Sequence, residues 1–292
     1  MHVLVTGASG FVGQALRKQL SAHGCAYTAI QREALDPERY SAAYDCIIHL
    51  AGRAHVMHDA AQDIYQAYAA VNIDFTLKVA ELARQLKIRR FVFLSSIKVN
   101  GESSAQPFTE TDTPVPLDAY GQTKLEAELA LKKFCHEHGI ELVIIRPPLI
   151  YGPGVKANFR QLIKLCLLPF PLPFASVKNK RSFVSLENLT DFITLCCTHP
   201  QAANQTFLIA DDEDVSLTDL IRTIRSVKQQ SLLLFSLPLW LLKILFTLLG
   251  KSGMAARLFG TLQADISKAK SLLGWQPKFS FREGIQQTLK EL

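Results

Sequence analysis

Along the first half of the chain, short apolar runs alternate with longer stretches that carry apolar residues on one helical stripe. Residues 3–5 form the first run, and Phe11–Ala22 reads as a helix that stops near Gly24. Residues 26–30, 46–50, 91–94 and 142–145 are further runs of strand length. Between them, 61–86 place Val71, Phe75, Val79 and Leu82 on one stripe, and 120–138 read as another helix. This alternation predicts an α/β fold, a doubly wound parallel sheet covered on both faces with right-handed crossovers.

After Ile150 the pattern changes. Prolines gather at 147, 148, 153, 169, 171 and 173, and the segments become shorter and mixed. Residues 188–197 and Leu217–Val227 read as helices, and 263–273 and 281–289 as closing helices. Residues 231–250 read SLLLFSLPLWLLKILFTLLG, about the length of a membrane span but broken by Pro238 and Lys243. The favoured reading is a buried strand over 232–237 followed by a helix that starts at Pro238. The alternative is a helix over 238–249 lying on a membrane surface.

With 48% hydrophobic and 20% charged residues, the 292-residue chain is globular rather than disordered. Its net charge of +6 is scattered and forms no basic arm, so no nucleic-acid partner is expected. The six cysteines show no zinc-ligand spacing, and most sit in apolar runs, which suits a reducing cytoplasm. No secretory signal is visible. His55 and His58 flank Met57 without a third ligand, so no metal is assigned, and His49 at a strand end reads as a hydrogen-bonded core group.

Residues 6–13, TGASGFVG, stand between the first strand and the first helix. Gly7 suits a tight turn, Gly10 a close approach of backbone to pyrophosphate, and Gly13 close helix–strand packing. The helix start, with Phe11 and Val12, offers free N–H groups to phosphate. At the end of the second strand an NAD site usually carries an acid about 20 residues on, but here the chain reads Ile30-Gln31-Arg32. Arg32 suits the 2′-phosphate of NADP(H), which is favoured over NAD(H). The alternative is an ordinary surface arginine, with Glu33 or Asp36 serving NAD.

Ser95-Ser96 follow the 91–94 strand at the carboxyl edge where such sheets bind ligands. Tyr120 and Lys124 stand four apart at the start of a helix, on one face. A phenol titrates near pH 10, and a neighbouring ammonium and a cationic nicotinamide would lower it. Ser96, Tyr120 and Lys124 thus form a candidate catalytic set, with Tyr120 exchanging a proton while a cofactor exchanges hydride.

These stretches, with IIHLAG at 47–52, VNIDFT at 71–76, RPPLIYGPG at 146–154 and DISKAKSLLGWQP at 265–277, resemble the extended short-chain dehydrogenase/reductases of the nucleotide-sugar epimerase/dehydratase family. The resemblance spans the chain. It implies a Rossmann-type cofactor domain over 1–150 and a smaller, interleaved mixed α/β lobe over 151–292 that binds a nucleotide-diphosphate sugar. It also implies that Leu50, Ala51 and Gly52 line the cofactor, that Asn72 supports the site, and that Pro147 closes over the nicotinamide. Asn158, Arg181, Arg257 and Asp265 fall where the family meets its nucleotide diphosphate, and Lys124 would also bind the nicotinamide ribose. The alternatives are exposed arginines, and a helix cap for Asp265. A homodimer is expected through 61–86 and 120–138.

Two departures narrow the reaction. Family dehydratases carry an Asp-Glu pair after the active-site hydroxyl, whereas Ile97 and Lys98 stand here and cannot replace it. A UDP-sugar 4-keto reductase or a 4-epimerase remains. Gln31-Arg32 and a resemblance to surface-polysaccharide enzymes favour reduction of a UDP-4-keto-6-deoxy-N-acetylhexosamine. A non-catalytic cofactor-binding relative is disfavoured by the intact Ser–Tyr–Lys set. Second, only 15 residues separate Ile30 from Cys46. The family's next strand is therefore shortened or missing, and the adenine side is partly open.

Overall fold

The computed structural model describes residues 1–31, 35–40, 42–54 and 63–291, without the side chains of 157 and 158. Its strands are β1 (His2–Thr6), β2 (Ala26–Ile30), β3 (Cys46–His49), β4 (Arg90–Leu94), β5 (Glu141–Arg146), β6 (Leu149–Tyr151), β7 (Phe183–Ser185) and β8 (Gln205–Leu208). The helices begin with α1 (Phe11–Ala22), α2 (Ile64–Ala69), α3 (Phe75–Gln85), α4 (Ala119–His138), α5 (Ala157–Cys166) and α6 (Leu186–Thr198). They continue with α7 (Leu217–Val227), α8 (Leu239–Leu248), α9 (Ser252–Phe259), α10 (Ser267–Leu273) and α11 (Phe281–Lys290).

Six strands form one sheet in the order β2-β1-β3-β4-β5-β8, every pair parallel. The apolar runs at 3–5, 46–49 and 91–93 are buried because helices cover both faces. On one face, α1, α6 and α10 close a core around Leu16, Phe192 and Trp275. On the other, α3 and α4 cover Leu4, Ile47, Phe91 and Ile144. Among the described residues between β2 and β3 there is a 3-10 turn at Pro37–Arg39 and no strand. β2 is therefore the sheet edge, in line with the short spacing from Ile30 to Cys46.

A second core lies beside the sheet. The parallel pair β6-β7 carries Tyr151 and Phe183, and α5, α7, α9 and α11 pack around them. After this excursion the chain returns to the main sheet as β8. The Tyr151 hydroxyl donates to Asp211 (2.6 Å) inside this second core.

Three expectations change. The 61–86 stripe is one continuous helix in the pattern but two in the structure, joined by a π-helical turn at Ala70–Asp74. The extra residue per turn aims Asn72 inward without disturbing the stripe on either side. The closing helix expected over 263–273 starts only at Ser267, because Gln263 and Asp265 pair with Phe108 instead. The stretch 232–237 is no buried strand. It makes isolated bridges to Leu172 and Phe174, while Leu232, Leu233 and Phe235 remain exposed.

His49 is buried as the sequence suggested. Its ring nitrogens pair with Thr6 Oγ1 (2.7 Å) and Thr76 Oγ1 (2.9 Å). Burial, with the Lys124 charge nearby, holds its pKa at about 3. Unfolded, the same imidazole takes up a proton near pH 6.5. Stability present at neutral pH is therefore lost as pH falls from about 6.5 toward 3, by up to about 1.4 kcal/mol per pH unit. His49→Gln should flatten this part of the stability–pH curve in denaturant titrations. An unchanged slope would detach the acid sensitivity from His49.

Candidate active site

The glycine turn joins β1 to α1. Gly7 has a left-handed φ of +68°, and a Cβ there would come within 2.8 Å of the Ala51 nitrogen. The Gly10 N–H donates to the Gly7 carbonyl (2.9 Å), and a Cβ on Gly13 would run into that same carbonyl. Gly7 and Gly13 are thus bare because no side chain fits at either position. α1 has neither a side-chain cap nor an acid in its first turn. Its leading N–H groups, at Phe11 and Val12, are left for an anion. The Val12 side chain packs on the sheet core and Phe11 on the second core.

Leu50, Ala51 and Gly52 leave β3 alongside this turn. The Leu50 and Ala51 N–H groups donate to the Thr6 carbonyl (3.3 Å) and Thr6 Oγ1 (3.2 Å). A Cβ on Gly52 would sit 3.3 Å from Asn72 Oδ1 and 3.6 Å from Lys124 Nζ. A glycine-rich turn, an uncapped helix start and a glycine beside Lys124 fit a dinucleotide of the NAD(P) type. Gln31 is exposed at the end of β2, whereas Arg32 and Glu33 lie outside the described residues, as do His55 and His58.

Ser96 caps the 3-10 turn Ile97–Val99, its Oγ accepting from the Lys98 N–H (3.3 Å). Tyr120 is the second residue of α4, whose N-cap Asp118 accepts from the Gly121 N–H (2.8 Å). A Cβ on Gly121 would lie 2.8 Å from the Lys98 carbonyl, so the serine turn and the helix start pack backbone against backbone. This brings the Ser96 and Tyr120 hydroxyls into hydrogen bonding. One turn on, Lys124 is buried, its Nζ donating to the Leu94 carbonyl (2.6 Å) and lying 4.2 Å from the Phe93 ring centroid. Lys98 points away, its ammonium ion-paired with Glu102 and Asp118.

Burial outweighs the neighbours on both titrating groups. It pushes Tyr120 up to about 12, against the Ser96 hydrogen bond. It pulls Lys124 down to about 7, against the Glu128 carboxylate. The protein without its cofactor therefore leaves the Tyr120 phenol high; the expected lowering included the charge of a bound nicotinamide. A lowered phenol requires positive charge brought by a ligand.

A buried network underlies the set and escaped the sequence reading. Glu128 accepts from Ser95 Oγ (2.5 Å), Arg146 Nε (2.9 Å) and Arg146 Nη2 (2.5 Å), and Arg146 Nη1 donates to Asn100 Oδ1 (3.1 Å). The signal was present: Glu128 follows Lys124 by one helical turn, and Arg146 directly precedes Pro147. Pro147 is buried, and its carbonyl accepts from the Ile97 N–H (2.9 Å), tying the end of β5 to the serine turn. Asn72, turned inward by the π-helical turn, donates to Thr123 Oγ1 (3.0 Å) and accepts from the Arg53 N–H (2.8 Å).

The expected substrate residues fare unequally. Arg181 is half-buried, its Nη1 spent on the Gly260 carbonyl (3.1 Å); burial pulls its pKa down, and nearby Glu102 opposes this. Glu102 also pairs with Lys98, so Arg181 stands near the serine turn. Arg257 is exposed on α9 and donates to the Gly253 carbonyl of its own helix (3.1 Å). Asp265 stands just ahead of α10, one carboxylate oxygen accepting from the Ser267 N–H (2.7 Å), while the residue at the helix start is Ile266. Asn158 stands in the first turn of α5, and its side chain is outside the described set.

The family model described as "NAD dependent epimerase/dehydratase family" matches residues 3–210. A UDP-glucose 4-epimerase of Vibrio cholerae is 39% identical, covering 98% of this chain and 94% of its own. Two solved structures share the fold. The UDP-glucuronic acid 4-epimerase of Bacillus cereus in complex with NAD has a TM-score of 0.79 and 23% identity, covering 100% and 98% of the two chains. The RMD protein of Pseudomonas aeruginosa complexed with NADPH has a TM-score of 0.80 and 20% identity, covering 100% and 99%. The family match runs from β1 through β8 and so includes every strand of the main sheet. The chain is an enzyme of the NAD-dependent epimerase/dehydratase family.

Proposed function

We propose that the protein interconverts the configuration at C4 of a UDP-linked hexose or N-acetylhexosamine. The observation that carries this reading is the hydrogen-bonded Ser96–Tyr120 pair with Lys124 beneath it, at the carboxyl edge of a parallel sheet. When bound, nicotinamide supplies the hydride acceptor in one direction and the donor in the other. Tyr120 Oη takes the 4-hydroxyl proton as C4 becomes a ketone, and returns it afterwards. The Ser96 hydroxyl donates to the same oxygen. Lys124, cationic, stabilises the phenolate and holds the nicotinamide ribose. Gly7, Gly10, Gly13 and the start of α1 hold the pyrophosphate, Leu50–Gly52 flank the cofactor, and Pro147 closes beside the nicotinamide. In this reading residues 1–150 serve the cofactor and 151–292 the sugar nucleotide, with Arg181 forking onto the diphosphate.

The 39% relative, an epimerase over nearly its whole length, supports epimerisation with retained NAD. One observation favours the second reading, 4-keto reduction with exchangeable NADPH. β2 is the sheet edge, and the residue directly after it is Gln31, an amide rather than the carboxylate that usually meets a ribose 2′-hydroxyl. A homodimer through α2, α3 and α4 is supported by exposed Ile64 and Leu129 on those helices.

Purified protein given UDP-glucose or UDP-GlcNAc without added cofactor should produce the C4 epimer. With UDP-4-keto-6-deoxy-GlcNAc and NADPH or NADH, stoichiometric loss of reduced-cofactor absorbance would transfer the assignment to the reductase. Absence of both reactions would overturn C4 chemistry. Tyr120→Phe should lower kcat by about 10²–10⁴-fold while cofactor still binds, and near-normal turnover would remove Tyr120 from its role.

Glu128 holds the Lys124 pKa up against burial. The alkaline limb of the kcat/KM profile, where Lys124 loses its charge, should therefore move to lower pH in Glu128→Gln. An unmoved limb in the folded variant would separate Glu128 from Lys124.

A further inference from the structure

α8 reads LWLLKILFTL, yet of its eight large apolar residues only Leu242 is buried. Phe246 is half-buried against Phe259, with ring centroids 5.3 Å apart. Trp240 is 64% exposed, Leu248 80% and Leu249, just behind the helix, 60%. The chain leading into α8 is apolar and exposed as well, at Leu232 and Phe235. This surface is held in place rather than loosely hung. Arg225, fully buried, donates to five backbone carbonyls: Cys166, Leu168, Phe170, Ser231 and Leu233. All five guanidinium donors are thereby used to fix the loops on which the apolar surface rests. An apolar surface of this kind on a folded protein marks a contact site.

Charge says what covers it. No Asp or Glu occurs between Glu141 and Glu187, or between Asp219 and Asp265, while these two stretches carry 13 lysines and arginines. Ten of the 13 are exposed, including Lys243 on α8, Lys251 directly after it and Arg257 on α9. A second copy docked face to face would oppose these cations to their own images. α8 has ten residues, about 15 Å of helix, half the hydrocarbon thickness of a bilayer. No helix among the described residues is long and apolar enough to cross a membrane. A short apolar helix that carries Lys243, is followed by Lys251 and has no carboxylate of its own fits an anionic lipid surface.

We propose that α8 and the segment leading into it dock the protein on anionic phospholipid, with Trp240, Ile244, Leu245 and Leu248 entering the interface and Lys243 and Lys251 meeting the headgroups. The docking stands apart from the C4 chemistry, so its test reads binding alone. The full-length protein is floated with vesicles of phosphatidylcholine alone, or of phosphatidylcholine with phosphatidylglycerol, at low and high salt. It should float with the anionic vesicles at low salt and much less with neutral vesicles or at high salt. Emission should shift to the blue, reporting Trp240, because the other tryptophan, Trp275, is already buried and bonded to Asp191. Lys243→Ala and Lys251→Ala should each weaken partitioning about fivefold. Leu248→Glu should abolish flotation and leave turnover in solution intact. The proposal is overturned by failure to float with anionic vesicles at low salt, or by unchanged flotation of Leu248→Glu. It is equally overturned if Leu248→Glu splits a lipid-free oligomer, which would make the face a contact between copies.

Discussion

Everything at the catalytic edge rests on one buried ion pair, Glu128 with Arg146. Glu128 rides on α4, four residues beyond Lys124, and Arg146 ends β5. Between them they reach Ser95 at the end of β4 and Asn100 behind the serine turn. Two charges removed from water are expensive, and losing either partner strands the other at about 3–5 kcal/mol. The pair is therefore poor as a source of stability but effective as a constraint. It fixes the depth of α4 against the sheet, and with it the position of Tyr120 over Ser96. It also keeps a negative charge one helical turn from Lys124, whose burial would otherwise strip its proton more completely.

The frame around this pair could be read directly from residue periodicity. Strands such as 91–94 are apolar throughout because both faces are covered, and α1 announces itself by its glycines. Tyr120 and Lys124 were legible for the same reason, since a four-residue spacing puts two side chains on one helix face. What escaped was whatever leaves periodicity untouched. The π-helical turn at Ala70–Asp74 preserves the stripes on either side while turning Asn72 inward. Glu128 carried the right spacing, but a charge on a helix usually faces water, and nothing local marks one that faces a buried arginine. Asp265 shows that a motif residue can also have a local partner, one carboxylate oxygen accepting from the N–H two residues later.

The apolar run at 231–250 misled differently. Hydrophobicity measures a preference for leaving water, not for entering this protein's own core. Only Leu242 and Phe246 find room between α9 and the second core, and the remaining side chains of α8 stay outside. Arg225 explains why the fold accepts this. A guanidinium satisfied by five carbonyls organises a surface that packing alone would not hold.

The distribution of acids has a consequence at longer range. With 13 cations and no carboxylate in two stretches, the rest of this +6 chain carries a net charge of −7. The chain is thus electrically divided along its length, with ten of those 13 cations exposed. Where exposed cations gather they raise the local potential, and added salt screens that effect within about 10 Å at 0.1 M.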